Sequence, residues 1–173
     1  MKEPILETER LILRPLTIGD AEDVYKWASD ERVAKYMIYP RHESIETTIE
    51  WLESLKDLPD NNFEWGFVLK ENGKLFGSGG IRLIKEQNAW MFGYNISYDC
   101  WNKGYTTEAA KCMIDFAYKK CGARDFISDH AVENPASGRV MEKCGLKFSH
   151  YGEYSKFDGS ENFKAKFYKM HLE

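Results

Sequence analysis

From residue 63 to residue 70 the chain alternates, with Phe63, Trp65, Phe67 and Leu69 set against Glu64, Gly66, Val68 and Lys70. A period of two predicts a strand with one apolar face. Asn72-Gly73 follows as a type I′ hairpin signal and leads into a second strand over about 74–84. Gly77, Gly79 and Gly80 inside that strand predict a bulge or a close backbone approach. A polar turn at 85–88 precedes a third strand, 89–98, with Trp90, Phe92, Tyr94, Ile96 and Tyr98 on one face. The three strands form an antiparallel meander, and the Trp90, Phe92 and Tyr94 face reads as core in preference to a substrate cage.

The period then changes. Ala109, Ala110, Met113, Ile114, Ala117 and Cys121 repeat at helical spacing, and Gly122 supplies a stop. Residues 124–132 read as a strand, and Asn134 with Pro135 opens a helix that buries Val140, Met141 and Cys144 before Gly145 ends it. Two further strands, about 146–153 and 162–172, flank a polar loop with Asp158-Gly159. On the N-terminal side, residues 8–14 predict a strand ended by Pro15. Asp20 caps a helix carrying Ala21, Val24, Tyr25 and Ala28, residues 36–42 form a loop, and Ser44 opens a helix to about Lys56. The order β-α-α-β-β-β-α-β-α-β-β is α+β with a single mixed sheet. With 173 residues and no repeat or linker-like stretch, one domain over 1–173 is expected.

Composition narrows the class. The chain is 43% hydrophobic and 14% aromatic, which fits a packed core. A net charge of −4 argues against a nucleic-acid partner, which would call for a basic face. No apolar run approaches the roughly 20 residues of a membrane span, and Met1-Lys2-Glu3 runs into a polar strand lead-in with no signal-peptide pattern. Cys100, Cys112, Cys121 and Cys144 form no C-x-x-C pair and sit at no zinc spacing, so they read as small core residues with no metal implied. The expectation is a soluble, cytoplasmic protein with reduced thiols.

The chemistry concentrates at Trp101-Asn-Lys-Gly-Tyr-Thr-Thr-Glu-Ala109. A strand that stops at a glycine turn and restarts as a helix leaves backbone N–H groups free, and these together with the helix dipole attract an anion such as a phosphate. No P-loop pattern is present.

Four segments in order carry a resemblance that covers nearly the whole chain: Thr8-Glu-Arg-Leu-Ile-Leu-Arg-Pro-Leu16, Gly93-Tyr94, residues 101–109, and Asn134-Pro-Ala-Ser137-Gly-Arg-Val-Met-Glu-Lys-Cys-Gly-Leu146. Together they resemble the GNAT superfamily of acetyl-CoA-dependent N-acetyltransferases, in its ribosomal-protein-N-acetyltransferase-like (RimJ/RimL-like) branch. The resemblance implies a GNAT-like fold, with about seven strands flanked by about four helices. It also implies acetyl transfer from acetyl-CoA to a primary amine, either a protein N-terminus or a small molecule, by direct attack in a ternary complex. It assigns the CoA pyrophosphate to Lys103, Gly104, Tyr105, Thr106 and Thr107. The family's turn pattern places Gln or Arg where this chain has Trp101, and only the central Gly104 matches the broad form. Lys103 either adds charge or is merely solvated. The pantetheine arm would enter where the strand of Tyr94, Asn95, Ile96 and Ser97 splays from the strand ending near Val132, with one N–H serving as oxyanion donor.

Proton transfer is less marked. Many family members place a tyrosine acid seven residues after the Asn that opens the last helix, where this chain has Met141. In the RimJ/RimL-like branch a serine three residues after that Asn contacts the sulfur instead, and that is Ser137. Its other reading is a first-turn residue bonded to local backbone. Asn134 can be both cap and cofactor contact. The branch's usual glutamate, two residues before Gly-Tyr, is Met91 here. His130 has a suitable intrinsic pKa for a base, though a structural role competes, and Glu133, Asp129 and a water chain are further candidates. Glu108 is expected to stabilise its helix N-terminus. The Tyr36–His42 loop and the 154–162 loop would line the acceptor's way in. A CoA-binding module without catalysis is the alternative function, motivated by Met91 and Met141, and a nucleotide-binding α/β domain is disfavoured by the meander. Monomer and homodimer are both open.

Overall fold

The alternation beginning at Phe63 becomes β3 (Asn62–Leu69), whose Phe63, Trp65 and Phe67 are buried at the centre of the main core. In the computed structural model, which describes residues 2–173, β3 pairs antiparallel with β2 (Leu11–Arg14) and β4 (Leu75–Ile84). β4 in turn pairs antiparallel with β5 (Ala89–Ile96). The remaining strands are β1 (Leu6–Glu7), β6 (Asp125–Ala131), β7 (Lys147–Ser155) and β8 (Asn162–His171). They make one eight-stranded mixed sheet in the order β1-β2-β3-β4-β5-β6-β8-β7. The helices are α1 (Ala21–Ala28), α2 (Glu31–Ala34), α3 (Ile45–Ser54), α4 (Tyr105–Cys121) and α5 (Pro135–Lys143).

α4 and α5 cover one face of the sheet. Ala109, Ala110, Met113 and Ala117 of α4 pack against Phe63, Trp65, Phe92 and Phe126. α1 and α3 cover part of the opposite face through Val24, Trp27, Ala28 and Leu52, packed on Val68 and Leu75. The rest of that face, across β3, β4, β5 and β6, carries no helix and is crossed by the loop after α2.

Among the described residues there are eight strands and five α-helices, in keeping with the expected about seven and about four. The extra strand is β1, which lies ahead of the 8–14 run and pairs back on β2, so that the run starts as a turn and becomes a strand only from Leu11. Thr8 Oγ1 takes the N–H of Leu11 at 3.0 Å and Glu108 takes that of Arg10 at 2.9 Å, so side chains satisfy donors that a ladder would otherwise use. α2 is a single turn capped by Asp30, too short to show a period. Asp20 does precede α1, but its carboxylate binds Arg14 and the N–H of Thr17 and does not cap that helix. The β3–β4 connection is not type I′: Gly73 is left-handed (φ 71°) but Asn72 is not, and Leu69 N–H bonds Lys74 O across a four-residue loop of residues 70–73.

The β4 glycines mark close approaches, as expected. A Cβ on Gly79 would lie 2.6 Å from Phe67 Cζ and 2.7 Å from Gly93 O. Trp90 and Phe92 are core. The cysteines are free, and burial pushes the Cys112 and Cys144 thiols up to about 11, leaving them protonated at neutral pH. Among the described residues no helix is long and apolar enough to cross a membrane.

Candidate active site

The sheet opens between β5 and β6. These parallel strands pair only at Trp90–Phe126 and Met91–Ile127, with Ser128 Oγ donating to Phe92 O at 2.9 Å as the last tie. Beyond it β5 stays with β4 while β6 follows β8, and the strands diverge. This opening matches the splay expected of 94–97 against the strand end near Val132.

Alternation along β5 decides which backbone groups face the opening. Phe92 O and Ile96 O take side-chain donors away from β4, from Ser128 and from Trp101 Nε1 at 3.0 Å, whereas Ser97 N–H bonds Phe76 O on the β4 side at 2.7 Å. Tyr94 and Ile96 therefore turn their N–H groups to the gap, and Asn95 and Ser97 turn theirs to β4. Asn95 is held through its side chain instead. Its Nδ2 donates to Ser78 O and Oγ at 3.0 and 2.9 Å, and its Oδ1 accepts from Tyr39 at 2.9 Å. Ser97 Oγ donates to Asp99 at 2.6 Å.

The glycine turn lies at the end of β5 and leads into α4. Asn102 and Gly104 are both left-handed (φ 59° and 80°), and Gly104 stands at the N-cap without a side-chain bond to the helix. The first N–H groups of α4, those of Tyr105, Thr106 and Thr107, lie ahead of the first intrahelical bond, Glu108 N–H to Gly104 O at 3.1 Å. They form the helix-end concavity that suits a phosphate. Lys103 is exposed on the same turn.

Arg10, absent from the sequence expectations, reaches this turn from the β1–β2 corner. Its Nε binds Glu108 at 2.8 Å, Nη1 donates to Lys103 O at 2.9 Å, and the guanidinium stacks 4.5 Å from the Tyr105 ring centroid. Glu108 accordingly joins α4 to the corner, accepting from Thr8 Oγ1, from Arg10 Nε and from the Arg10 backbone N–H, a role beyond that of a local helix-end charge. Its carboxyl is held below the usual range by these donors against the opposing effect of burial. Arg10 lies in the Thr8–Leu16 segment that carries the resemblance, but no spacing along the chain ties it to a turn 94 residues on.

α5 bridges the other side of the opening. Tyr94 OH lies 2.8 Å from Ser137 Oγ and donates to Ser137 O at 3.1 Å, so β5 and α5 meet across the gap at these two hydroxyls. Burial holds the Tyr94 phenol well above its usual pKa, so it stays protonated. Asn134 occupies the N-cap position but its side chain makes no cap bond; only its backbone participates, N–H to Ala131 O at 2.8 Å. Met141 is buried in the core.

His130 is placed differently from its expected role. It points from β6 under α5, where a Cβ on Gly138 would lie 2.6 Å from its Nε2, and it is buried. Nδ1 lies 2.7 Å from Ala131 O and Nε2 3.5 Å from Tyr168 OH, and burial lowers its pKa. That is the setting of a packed support for α5, on the sheet face opposite the open one.

The open face carries Glu64, Gly80 and Gly93 in one cross-strand row, with Arg82 and Met91 in the next. Above it runs the loop after α2. Tyr154 OH binds Tyr36 O, Phe157 N–H binds Ile38 O at 2.8 Å, and the buried Lys156 Nζ donates to Ala34, Met37 and Tyr39 carbonyls at 2.7, 2.8 and 3.2 Å. The two loops expected to line one approach are thus tied to each other over this face.

A splayed pair of parallel strands, a glycine turn feeding a helix N-terminus, and a second helix closing the gap define an acyl-CoA-binding transferase architecture. Residues 10–147 match the family model described as the acetyltransferase (GNAT) domain, and the chain belongs to that family and is an N-acetyltransferase. Among its relatives is an uncharacterized N-acetyltransferase, YoaA, of Bacillus subtilis (strain 168), 28% identical over 147 residues and covering 83% of each chain. The fold matches a GNAT-family acetyltransferase from Bacillus anthracis with a TM-score of 0.84, at 24% identity over 97% of this chain and 98% of that one. It also matches RimL, a ribosomal L7/L12 alpha-N-protein acetyltransferase solved with coenzyme A, with a TM-score of 0.84 at 13% identity over 98% of each chain. Among the described residues no cluster of His, Cys, Asp and Glu is arranged to hold a metal ion.

Proposed function

We propose that the protein transfers the acetyl group of acetyl-CoA directly to a primary amine in a ternary complex, within a RimJ/RimL-like branch of the family. The observation that carries this reading is the opening between β5 and β6, with free backbone donors on one wall and the Ser137–Tyr94 pair on the other. The pyrophosphate sits on the N–H groups of Lys103, Gly104, Tyr105, Thr106 and Thr107, with Arg10 and Lys103 adding positive charge. The pantetheine pairs with the free backbone of Tyr94 and Ile96, and the N–H of one of them faces the thioester oxygen. Asn95 and Ser97 support that strand from the β4 side. Asn134, its amide not used as a cap, faces the arm from the other wall.

The Ser137 hydroxyl donates to the departing sulfur while the Tyr94 hydroxyl, turning its one proton from Ser137 O to Oγ, fixes its orientation. A serine hydroxyl is a weak acid but an adequate donor to a developing thiolate. Ser137→Ala is expected to lower kcat about tenfold with CoA affinity within twofold of the parent, compared by thiol release and calorimetry. A change in affinity alone would restrict Ser137 to cofactor binding.

The acceptor is a protein N-terminus or a small amine that enters over the open face beneath the Tyr36–His42 loop. Incubation with acetyl-CoA and a library of amines and N-terminal peptides, with free-thiol detection, is expected to show acceptor-dependent turnover. CoA-induced thermal stabilisation without any acceptor-dependent thiol release would instead favour a binding module.

A further inference from the structure

The two residues that leave the proton-transfer problem open in the sequence, Met91 and Met141, lie on opposite sheet faces. Met141 is core, but Met91 belongs to the open face. That face has a carboxylate elsewhere. Glu64 on β3 stands opposite Gly80 on β4, which stands opposite Gly93 on β5. A Cβ added to Gly80 would collide with Glu64 Oε2 and lie 3.2 Å from Glu64 Cδ, so the carboxyl lies over Gly80, one strand nearer the opening than its own backbone. Over Gly93 a Cβ would meet nothing within 4 Å. The row therefore reads carboxyl, bare strand, empty space, and the empty space adjoins Tyr94, where β5 has just parted from β6.

Glu64 is also unengaged. Among the described residues its carboxyl joins no hydrogen bond or salt bridge, only its N–H being used, toward Glu3 at 3.4 Å. Nor is either oxygen a sealed, unpartnered atom. A half-buried carboxylate with no partner, open to a groove, is costly to keep unless it meets a ligand.

We infer that Glu64 is the base that takes the proton from the acceptor's ammonium group, held over Gly93 at the mouth of the thioester channel. The inference rests on the acetyl-transfer reading above. Strands in a sheet are about 4.8 Å apart, so a group above Gly93 is within direct or one-water reach of a carboxyl above Gly80. An N–H bond of R–NH3+ breaks and an O–H bond forms on Glu64. The neutral amine then forms its N–C bond to the acetyl carbon as the C–S bond breaks. The second N–H proton passes to the coenzyme sulfur, giving free thiol and amide, and Glu64 releases its proton to solvent. Gly80 and Gly93 are needed bare, the first for the carboxyl and the second for the amine.

The surroundings set the pH range. Burial and the neighbouring charge of Glu3 push the Glu64 carboxyl up to about 8, with Arg82 opposing. The groups that face it are Glu3 from the N-terminal segment, Arg82 from β4 and Tyr39 from the overlying loop. Across the opening Asp129 is likewise raised by burial and opposed by Arg82. A base must be ionised, so the rate should climb as pH rises through this range and level above it.

The test compares two nucleophiles in thiol-release assays on the intact protein with saturating acetyl-CoA. Spermidine carries ammonium groups at neutral pH, whereas hydroxylamine is already neutral and needs no base. In Glu64→Gln the ratio of spermidine to hydroxylamine rates is expected to fall at least 100-fold, with the pH step near 8 abolished and CoA affinity unchanged. Glu3→Gln is expected to move the step to lower pH and Arg82→Gln to higher pH. An unchanged ratio in Glu64→Gln, or a step that disappears in Asp129→Asn but survives in Glu64→Gln, would overturn the assignment. Turnover of hydroxylamine without any turnover of spermidine or of the amine library would do so as well. If neither nucleophile nor any member of the amine and peptide library is turned over, the acetyl-transfer reading itself fails, and the assignment with it.

Discussion

Replacing Gly104 with valine is expected to weaken CoA binding more than tenfold, read by isothermal titration calorimetry against the parent protein. Gly104 holds φ 80°, ψ 2° at the residue where the chain turns from the strand end into α4. A β-branched side chain in the left-handed region costs about 1–2 kcal/mol, and the space is also contested, since a Cβ there would lie 3.2 Å from Arg10 Nη2. The turn escapes this strain by moving toward negative φ, which swings the N–H groups of Gly104 and Tyr105 off their common focus. Phosphate affinity depends on several donors converging, so the loss exceeds that of one hydrogen bond; tenfold corresponds to about 1.4 kcal/mol. The helix itself should survive, because Ala109, Ala110, Met113 and Ala117 anchor it to the core. Retained far-UV circular dichroism with lost CoA affinity is therefore the expected pair of results. Unchanged affinity would move the phosphate site elsewhere.

That same turn shows why some of the molecule was legible in its sequence. Gly104 and Gly122 bound α4 through their own backbone conformations, and the apolar period between them is a property of adjacent residues. β3 through β5 and the burial of Trp90 and Phe92 follow from alternation in the same way. The misreadings involve partners distant in the chain. The first strand is cut short because Glu108, about a hundred residues on, supplies acceptors at Thr8 and Arg10. Asn72-Gly73 carries a hairpin signature, but tertiary pairing selected a longer loop. His130 has a fitting intrinsic pKa, yet strand parity turns it to the α5 face and away from the open one. Glu64 was legible only as the polar half of an alternating strand. Its relation to Gly80 and Gly93 exists through register alone, with no spacing along the chain to reveal it.

Lys156→Met is expected to lower stability by about 2–4 kcal/mol and to raise the acceptor KM several-fold while leaving CoA affinity unchanged. Lys156 is a buried cation on the turn between β7 and β8, and its three ammonium donors match three carbonyls, those of Ala34, Met37 and Tyr39. Hydrogen bonds to a charged group contribute roughly 1.5–3 kcal/mol each before desolvation of the ion is subtracted, and a buried carbonyl left unmatched costs about 1–3 kcal/mol. Methionine keeps most of the stem's packing, so the effect isolates the ammonium. Those carbonyls belong to the end of α2 and the loop that carries Tyr39 across the open face to Asn95. Without them the loop keeps its ties to Tyr154 and Phe157, the Tyr39–Asn95 bond and those of His42 to Ala28 O and Thr48, and faster amide hydrogen exchange over residues 34–42 should accompany the loss. The phosphate turn lies beyond the C-terminal end of β5 and is tied to Arg10 and Glu108, not to this loop, which is why the coenzyme should not sense the change. Equal losses in CoA affinity and acceptor KM would mean that Lys156 supports the whole sheet opening and not the acceptor side alone.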